Sequence, residues 1–203
     1  MAPRRSQEQA QGTRSAIIGR AVDVSSAEGL EGLTIGRLAS DLEMSKAGVL
    51  GHFGSKEALQ LATLETAIDV FRREVWEPAG GVEPGLPRLR AICENWISYL
   101  KREVFPGGCF MTSASCEFDG RPGPVREAIA EALGLWYRVL EAEARHAIAA
   151  GDLPQGSDPK AIALQLNALA MAANQKLQLF GDRSALRVAR EAMLATLSTP
   201  ESV

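Results

Sequence analysis

Apolar positions along the 203-residue chain recur at intervals of three and four, and strand-type alternation is scarce, so the pattern predicts an all-α protein. Ile17, Ile18, Ala21, Val22 and Val24 form a helical stripe, predicting a first helix over residues 13–28 that Gly29 stops. Thr34 is a good N-cap, and Ile35, Leu38, Ala39 and Leu42 follow at i, i+3, i+4 and i+7, one buried face of a short second helix. Ser45 caps a third helix of two turns ending near Phe53. Ser55 caps a fourth, whose apolar side from Leu59 through Leu64, Ile68 and Phe71 runs to Trp76, where Pro78 ends it. Beyond the Pro/Gly break at 78–87, helices are predicted over 88–105, 109–117, 125–150, 158–180 and 184–197, with no internal repeat.

One stretch departs from good helical chemistry. Residues 44–56, MSKAGVLGHFGSK, hold Gly48, Gly51 and Gly54, and each glycine in a helix interior costs about 0.5–1 kcal/mol relative to alanine. The order helix, tight turn, two-turn helix across 34–53 has the proportions of a helix-turn-helix. A short helix of small residues can lie deep in a major groove about 12 Å wide, because little side chain holds its backbone away. Gly54 is expected to end that helix so that Ser55 can start the next.

Charge changes this picture only slightly. The chain carries a formal net charge of −3, which by itself argues against a nucleic-acid binder. Up to Lys56, however, seven positive residues face six negative ones, so a DNA-facing N-terminal region is permitted. Three cysteines without CxxC spacing (Cys93, Cys109, Cys116) point away from a disulfide scaffold or zinc site and toward a reducing cytoplasm. Met1 to Gln11 is polar, unlike a secretory leader, and the apolar run Ala161–Ala173 is too short and polar to span a membrane.

The segment TIGRLASDLEMSKAGVLGHFGSKEAL (residues 34–59) resembles the N-terminal DNA-binding domain of the tetracycline-repressor (TetR) family. The family's pattern is matched at Thr34, Leu38-Ala39, Ser45, His52-Phe53 and Ser55-Lys56-Glu57-Ala58-Leu59. Residues 1–12, MAPRRSQEQAQG, read as a basic flexible arm, and the resemblance implies a three-helix DNA-binding domain over 13–56 and a helical ligand-binding and dimerisation domain over 57–203. It places Thr34 and Lys56 at phosphates, Ser45, Lys46, Ala47 and Gly48 nearest the groove, and His52 near the DNA backbone, with Arg37 and Gly51 on the same face. Hydroxyls, lysines and helix N-terminal amides are the usual phosphate partners. Three departures stand out. Glu43 occupies a turn position where the family often has glycine, Leu50 replaces a common tyrosine, and Gly36 and Gly48 stand where base-reading side chains are frequent. Lys46 is therefore the expected base reader, at about 1–3 kcal/mol for a well-formed guanine contact.

The region beyond the Pro/Gly break holds Trp96, Tyr99, Phe105, Met111, Phe118, Trp136, Tyr137 and Met171. Such residues at helical spacing serve as core or as pocket. Trp96 and Tyr99 fall at i, i+3 beside helices broken at 106–108 and 119–124, which favours a pocket for a small apolar or aromatic effector. Residues 161–173 are apolar almost all round, as a helix packed on both its own core and a partner would be. With Leu186, Ala189, Met193 and Leu197 they predict a homodimer face made by the last two helices. The charges of RVLEAEAR (residues 138–145) read as a solvated helix face.

An all-α enzyme and a helical interaction module are the competing classes. His52 and His146 have no carboxylates or cysteines at metal-ligand spacing, and no GxSxG, P-loop or dinucleotide fingerprint is present, so no catalytic residue, metal or cofactor is expected. An interaction module would explain the composition but not the ordered 34–59 constellation. The expected protein is a ligand-responsive repressor that binds a pseudo-palindromic double-stranded DNA operator as a dimer, with the fourth helix as hinge.

Overall fold

The computed structural model describes residues 4–198, with side chains from Gln7 onward. These residues form α-helices joined by turns, with one π turn and no strand among the described residues. The chain divides into two compact units. The first comprises residues up to Ile68 together with Phe105–Ile129, and the second comprises Asp69–Val104 and the residues from Ala130 onward.

The first unit holds α1 (Arg4–Glu28), α2 (Ile35–Asp41), α3 (Lys46–Phe53), most of α4 (Lys56–Phe71), and, returning from later in the chain, the short helix α7 (Phe110–Phe118). Its core draws on the predicted stripes, with Ile17, Ala21 and Val24 from α1, Leu38 from α2, and Leu59 and Leu64 from α4 buried, and adds Val49 from α3. Leu30 and Leu33 from the α1–α2 loop close it. Helices as short as α2 and α3 hold because each buries side chains against this core; two turns would not be stable alone.

The second unit holds the π turn Arg72–Trp76, α5 (Glu77–Gly80), α6 (Leu86–Lys101), most of α8 (Pro124–Ala150), α9 (Pro159–Phe180) and α10 (Ser184–Thr196). Asp158 caps α9 by accepting the Lys160 N–H at 2.9 Å, and Gly181 ends it in a left-handed conformation. α10 packs on α9 and α6.

Four expectations are corrected. Residues 1–3 of the expected arm lie outside the described residues; the first helix begins at Arg4, not residue 13, so residues 4–12 are helical. Their Gln, Glu and Ala are good helix formers without apolar positions, and extending a nucleated helix costs far less than starting one. Pro78 does not end the fourth helix. The π turn routes the Glu77 N–H to the Arg72 carbonyl, and Pro78 falls in the first turn of α5, where its missing N–H is harmless. Leu186, Ala189, Met193 and Leu197 are buried within the subunit, packing α10 on its own core. Finally, Glu143 of the supposed solvated face is buried. Its carboxylate accepts the Gly85 N–H at 2.8 Å and pairs with Arg88 at 2.9 Å.

Candidate nucleic-acid interface

Three hydroxyls set the local geometry of the first unit. Thr34 Oγ1 accepts the Arg37 N–H at 3.1 Å and caps α2, Ser45 Oγ accepts the Gly48 N–H at 3.0 Å and caps α3, and Ser55 Oγ accepts the Ala58 N–H at 3.0 Å ahead of α4. Capping uses an oxygen lone pair, so each hydroxyl proton can still be donated to a phosphate. Between α2 and α3, Glu43 takes φ +54°, while the Met44 N–H reaches the Ala39 carbonyl at 2.8 Å and the Glu43 N–H the Ser40 carbonyl at 3.3 Å. That is a Schellman closure with a glutamate in the left-handed place, at a cost of about 1 kcal/mol. Gly54, at φ +79°, ends α3.

α3 buries Val49 and turns Lys46, Ala47, Leu50 and Gly51 outward, with Gly48 and His52 half-buried. A Cβ at Gly51 would meet nothing, so the backbone is bare there. A Cβ at Gly36 would lie 3.3 Å from Lys46 Cε, so that glycine leaves the lane in which the lysine runs. Arg14 holds the far end of α3: its guanidinium donates to the His52 carbonyl at 3.2 Å and lies 4.4 Å from the Phe53 ring centroid. The His52 ring is tilted against Phe53.

The charges around this face are cross-paired. Arg37 Nε lies 3.0 Å from both Asp41 oxygens and its NH1 3.1 Å from Glu28, and Arg20 also binds Asp41 at 2.7 Å. Arg20 first, then Arg37, hold the Asp41 carboxyl below the usual carboxylate range. Lys56 Nζ donates to the Glu31 carbonyl at 2.7 Å and pairs with the Glu31 carboxylate at 3.2 Å. Hydrogen bonds from Gln60 and Lys56 likewise hold Glu31 below its usual range. Lys46 is exposed and, among the described residues, pairs with no carboxylate.

Pattern reading missed the residue that steadies this arrangement. Glu117, on α7, accepts the Leu30 N–H at 2.8 Å and the Glu31 N–H at 3.1 Å, holding the loop that carries the Lys56 partner. Nearby, Gly107 approaches Ser26 so closely that a Cβ would overlap its carbonyl. Neither contact leaves a local signal, because the partners are 80 or more residues apart.

The candidate effector residues fall into separate groups. In the second unit, Trp96, Tyr99 and Trp136 surround Phe71, with centroids 5.6, 5.5 and 5.1 Å from it and all edge-on; Trp96 and Trp136 are 5.2 Å apart. Phe71 was not anticipated as part of this group. The Trp96 and Trp136 Nε1 atoms are shut off from solvent with no hydrogen-bond acceptor. Tyr137 and Met171 meet around buried Asn167, whose Nδ2 donates to Tyr137 Oη at 3.0 Å and lies 3.2 Å from Met171 Sδ. Phe105, Met111 and Phe118 lie in the first unit, where Phe105 packs on Phe110 and Arg121 sits over Phe118. A groove of about 300 Å³ elsewhere in the second unit, lined by Leu153, Pro154, Ile162 and Thr196 among others, includes none of the eight. Among the described residues no cluster of potential metal ligands occurs, and no helix is long and apolar enough to cross a membrane.

The fold matches solved regulators over nearly its whole length. A TetR transcriptional regulator from Chloroflexus aurantiacus superposes with a TM-score of 0.85 at 22% identity, covering 93% of this chain and 95% of that one. A TetR-family regulator from Agrobacterium tumefaciens gives 0.83 at 18% identity, covering 93% and 99%. AibR, crystallised with isovaleryl coenzyme A and operator DNA, gives 0.73 at 20% identity, covering 90% and 96%. No curated protein sequence matches the chain. Residues 17–63 match the model of bacterial regulatory proteins of the tetR family, and residues 85–193 match the tetracyclin repressor-like C-terminal domain. Members of that family bind operator DNA and small-molecule effectors, typically as dimers. The chain therefore belongs to the TetR family and is a ligand-responsive, DNA-binding transcriptional regulator, not an enzyme.

Proposed function

We propose that the protein is a cytoplasmic repressor that grips a pseudo-palindromic operator as a homodimer and lets go when a small apolar or aromatic effector enters the second unit. The observation that carries the DNA half is the exposed surface of α2 and α3: Lys46 is exposed and unpaired among the described residues and runs past Gly36, Thr34 and Ser45 cap the two helices, and the backbone at Gly51 is bare. Lys46 reads bases in this scheme, while Thr34, Ser45, Lys56 and the half-buried His52 meet the backbone, and Arg37, Ala47, Gly48 and Gly51 shape the approach. Lys56 and Arg37 exchange their carboxylate partners for phosphates on binding.

A stripe of exposed small and apolar residues on α9 (Ala161, Leu164, Ala168, Ala172, Leu179) with Val188 on α10 supports a two-helix dimer face. Two copies would then present two recognition helices to half-sites one helical turn or a multiple apart. AibR supports the reading that one such fold can hold a small molecule and operator DNA. The effector shifts occupancy of DNA only if it binds the released state more tightly.

The test is binding to DNA fragments flanking the protein's own gene across a series of salt concentrations. Sequence-specific binding that weakens steeply with salt is expected. Lys46→Ala should cost about 1–3 kcal/mol and flatten preference at the base pair it reads. Salt-insensitive or sequence-blind binding by the native protein would sink the repressor reading.

A further inference from the structure

Among the described residues of the second unit, the indole donors of Trp96 and Trp136 are buried with nothing to receive them. Trp96 is 3% exposed, and its Nε1 and that of Trp136 are both closed to solvent without an acceptor. Buried polar groups in folded proteins are otherwise almost always satisfied, so a pair of orphans in one cluster needs a reason. Phe71 and the facing indole offer each N–H only π faces, which are weak acceptors. Phe71, packed edge-on against both indoles, immediately precedes the π turn Arg72–Trp76. Such turns carry an extra residue in the helix and recur at functional sites. Here the Val75 carbonyl within the π turn accepts Asn95 Nδ2 at 3.1 Å, tying the bulge to α6, the helix that carries Trp96.

We propose that this four-ring cluster is the effector subsite, and that its ligand is an aromatic or branched apolar molecule bearing a neutral or anionic oxygen acceptor, which takes the Trp96 and Trp136 indole N–H groups. The inference rests on the effector half of the function proposed above and adds the chemistry of the ligand. With centroids 5.1–5.6 Å apart the rings fill their own space, so the ligand enters by displacing a ring, and Phe71 beside the π turn is the one that swings. A carbonyl or carboxylate oxygen then completes the two donors. A cation gains ring faces but meets the positive edges of the indole N–H groups, so it is disfavoured; a hydrocarbon of the same shape leaves both donors unmet.

The experiment uses the full chain labelled with ¹⁵N and three probes of similar shape: acetophenone, isopropylbenzene and phenyltrimethylammonium. The protein has three tryptophans, so three indole N–H signals are assigned with single Trp→Phe variants. Acetophenone should move the Trp96 and Trp136 signals downfield in a saturable way, leave Trp76 unchanged, and bind about tenfold more tightly than isopropylbenzene. Trp96→Phe should lower acetophenone affinity severalfold and leave isopropylbenzene affinity the same. Equal binding of the hydrocarbon, preference for the cation, or no saturable shift with acetophenone at millimolar concentration would each overturn the proposal; none of these requires a folded variant. Because the readout is the indole protons, failure to find an operator would leave this subsite standing, and failure here would leave DNA binding standing.

Discussion

Glu117 and Glu143 perform the same task in two different units, under different conditions. Each sends a carboxylate across the fold to the backbone of a distant loop, Glu117 to the Leu30 and Glu31 amides and Glu143 to the Gly85 amide. Glu143 is 4% exposed and shares its site with the Arg88 guanidinium, itself mostly covered. Glu117 is half-buried and works through amide donors at the edge of the α1–α2 loop. Buried charge is committed, because losing one partner strands the other in a poor solvent, whereas a half-exposed carboxylate leaves amides that water can reach. The second unit is thereby locked by its ion pair, and the α1–α2 loop of the first is held but replaceable.

The contrast can be broken most forcefully at Glu143. Glu143→Ala should lower stability by about 3–5 kcal/mol, since Arg88 is left buried and unpaired, as read from chemical denaturation. Arg88→Met together with Glu143→Leu should recover much of that loss; if the double variant is no better than the single, the ion pair is not what locks the unit. Glu117→Ala should cost only about 1–2 kcal/mol and raise hydrogen exchange at Leu30 and Glu31 while sparing amides of the second unit. A loss there as large as at Glu143 would erase the distinction drawn between them. The smallest effect is electrostatic. Glu31 has its pKa lowered by Gln60 and Lys56, so its bonds add stability above its ordinary range near pH 4.5 and lose it as pH falls through the depressed value. An NMR titration should find the Glu31 carboxyl still ionised below that range, and Gln60→Ala should move its midpoint upward.

Most helices could be read from the chain because their signals are local. Thr34, Ser45, Ser55 and Asp158 are capping residues a few positions before an apolar stripe, and Gly54 and Gly181 sit at helix ends with positive φ. The cost at Glu43 was legible too, because a turn that wants glycine and has glutamate must adopt the same conformation at φ +54°. What escaped depends on tertiary placement. Glu143 lies among the charges of RVLEAEAR, and nothing in that spacing distinguishes a solvated carboxylate from one turned onto Arg88. The apolar positions of α10 announce a buried face but not against what, so Leu186 and Met193 could be read as a partner's contact when they belong to the subunit's own core. Residues 4–12 give no apolar stripe, which hides a helix continuous with the next turn. At the proposed interface, residue types suggest which side chains face outward, whereas the carboxylates that occupy Arg37 and Lys56 come together only in the fold.

The return of residues 105–129 to the first unit has a consequence for how the protein can be taken apart. A DNA-reading head cut at residue 68 would lack Glu117, which holds the α1–α2 loop, and Gly107, whose bare backbone lies against Ser26. The head is thus a discontinuous module, closed only once the chain has been made well past its middle. Grafting this specificity onto another regulator means transplanting two segments of chain, with the second chosen for its fit to a loop it meets only in space.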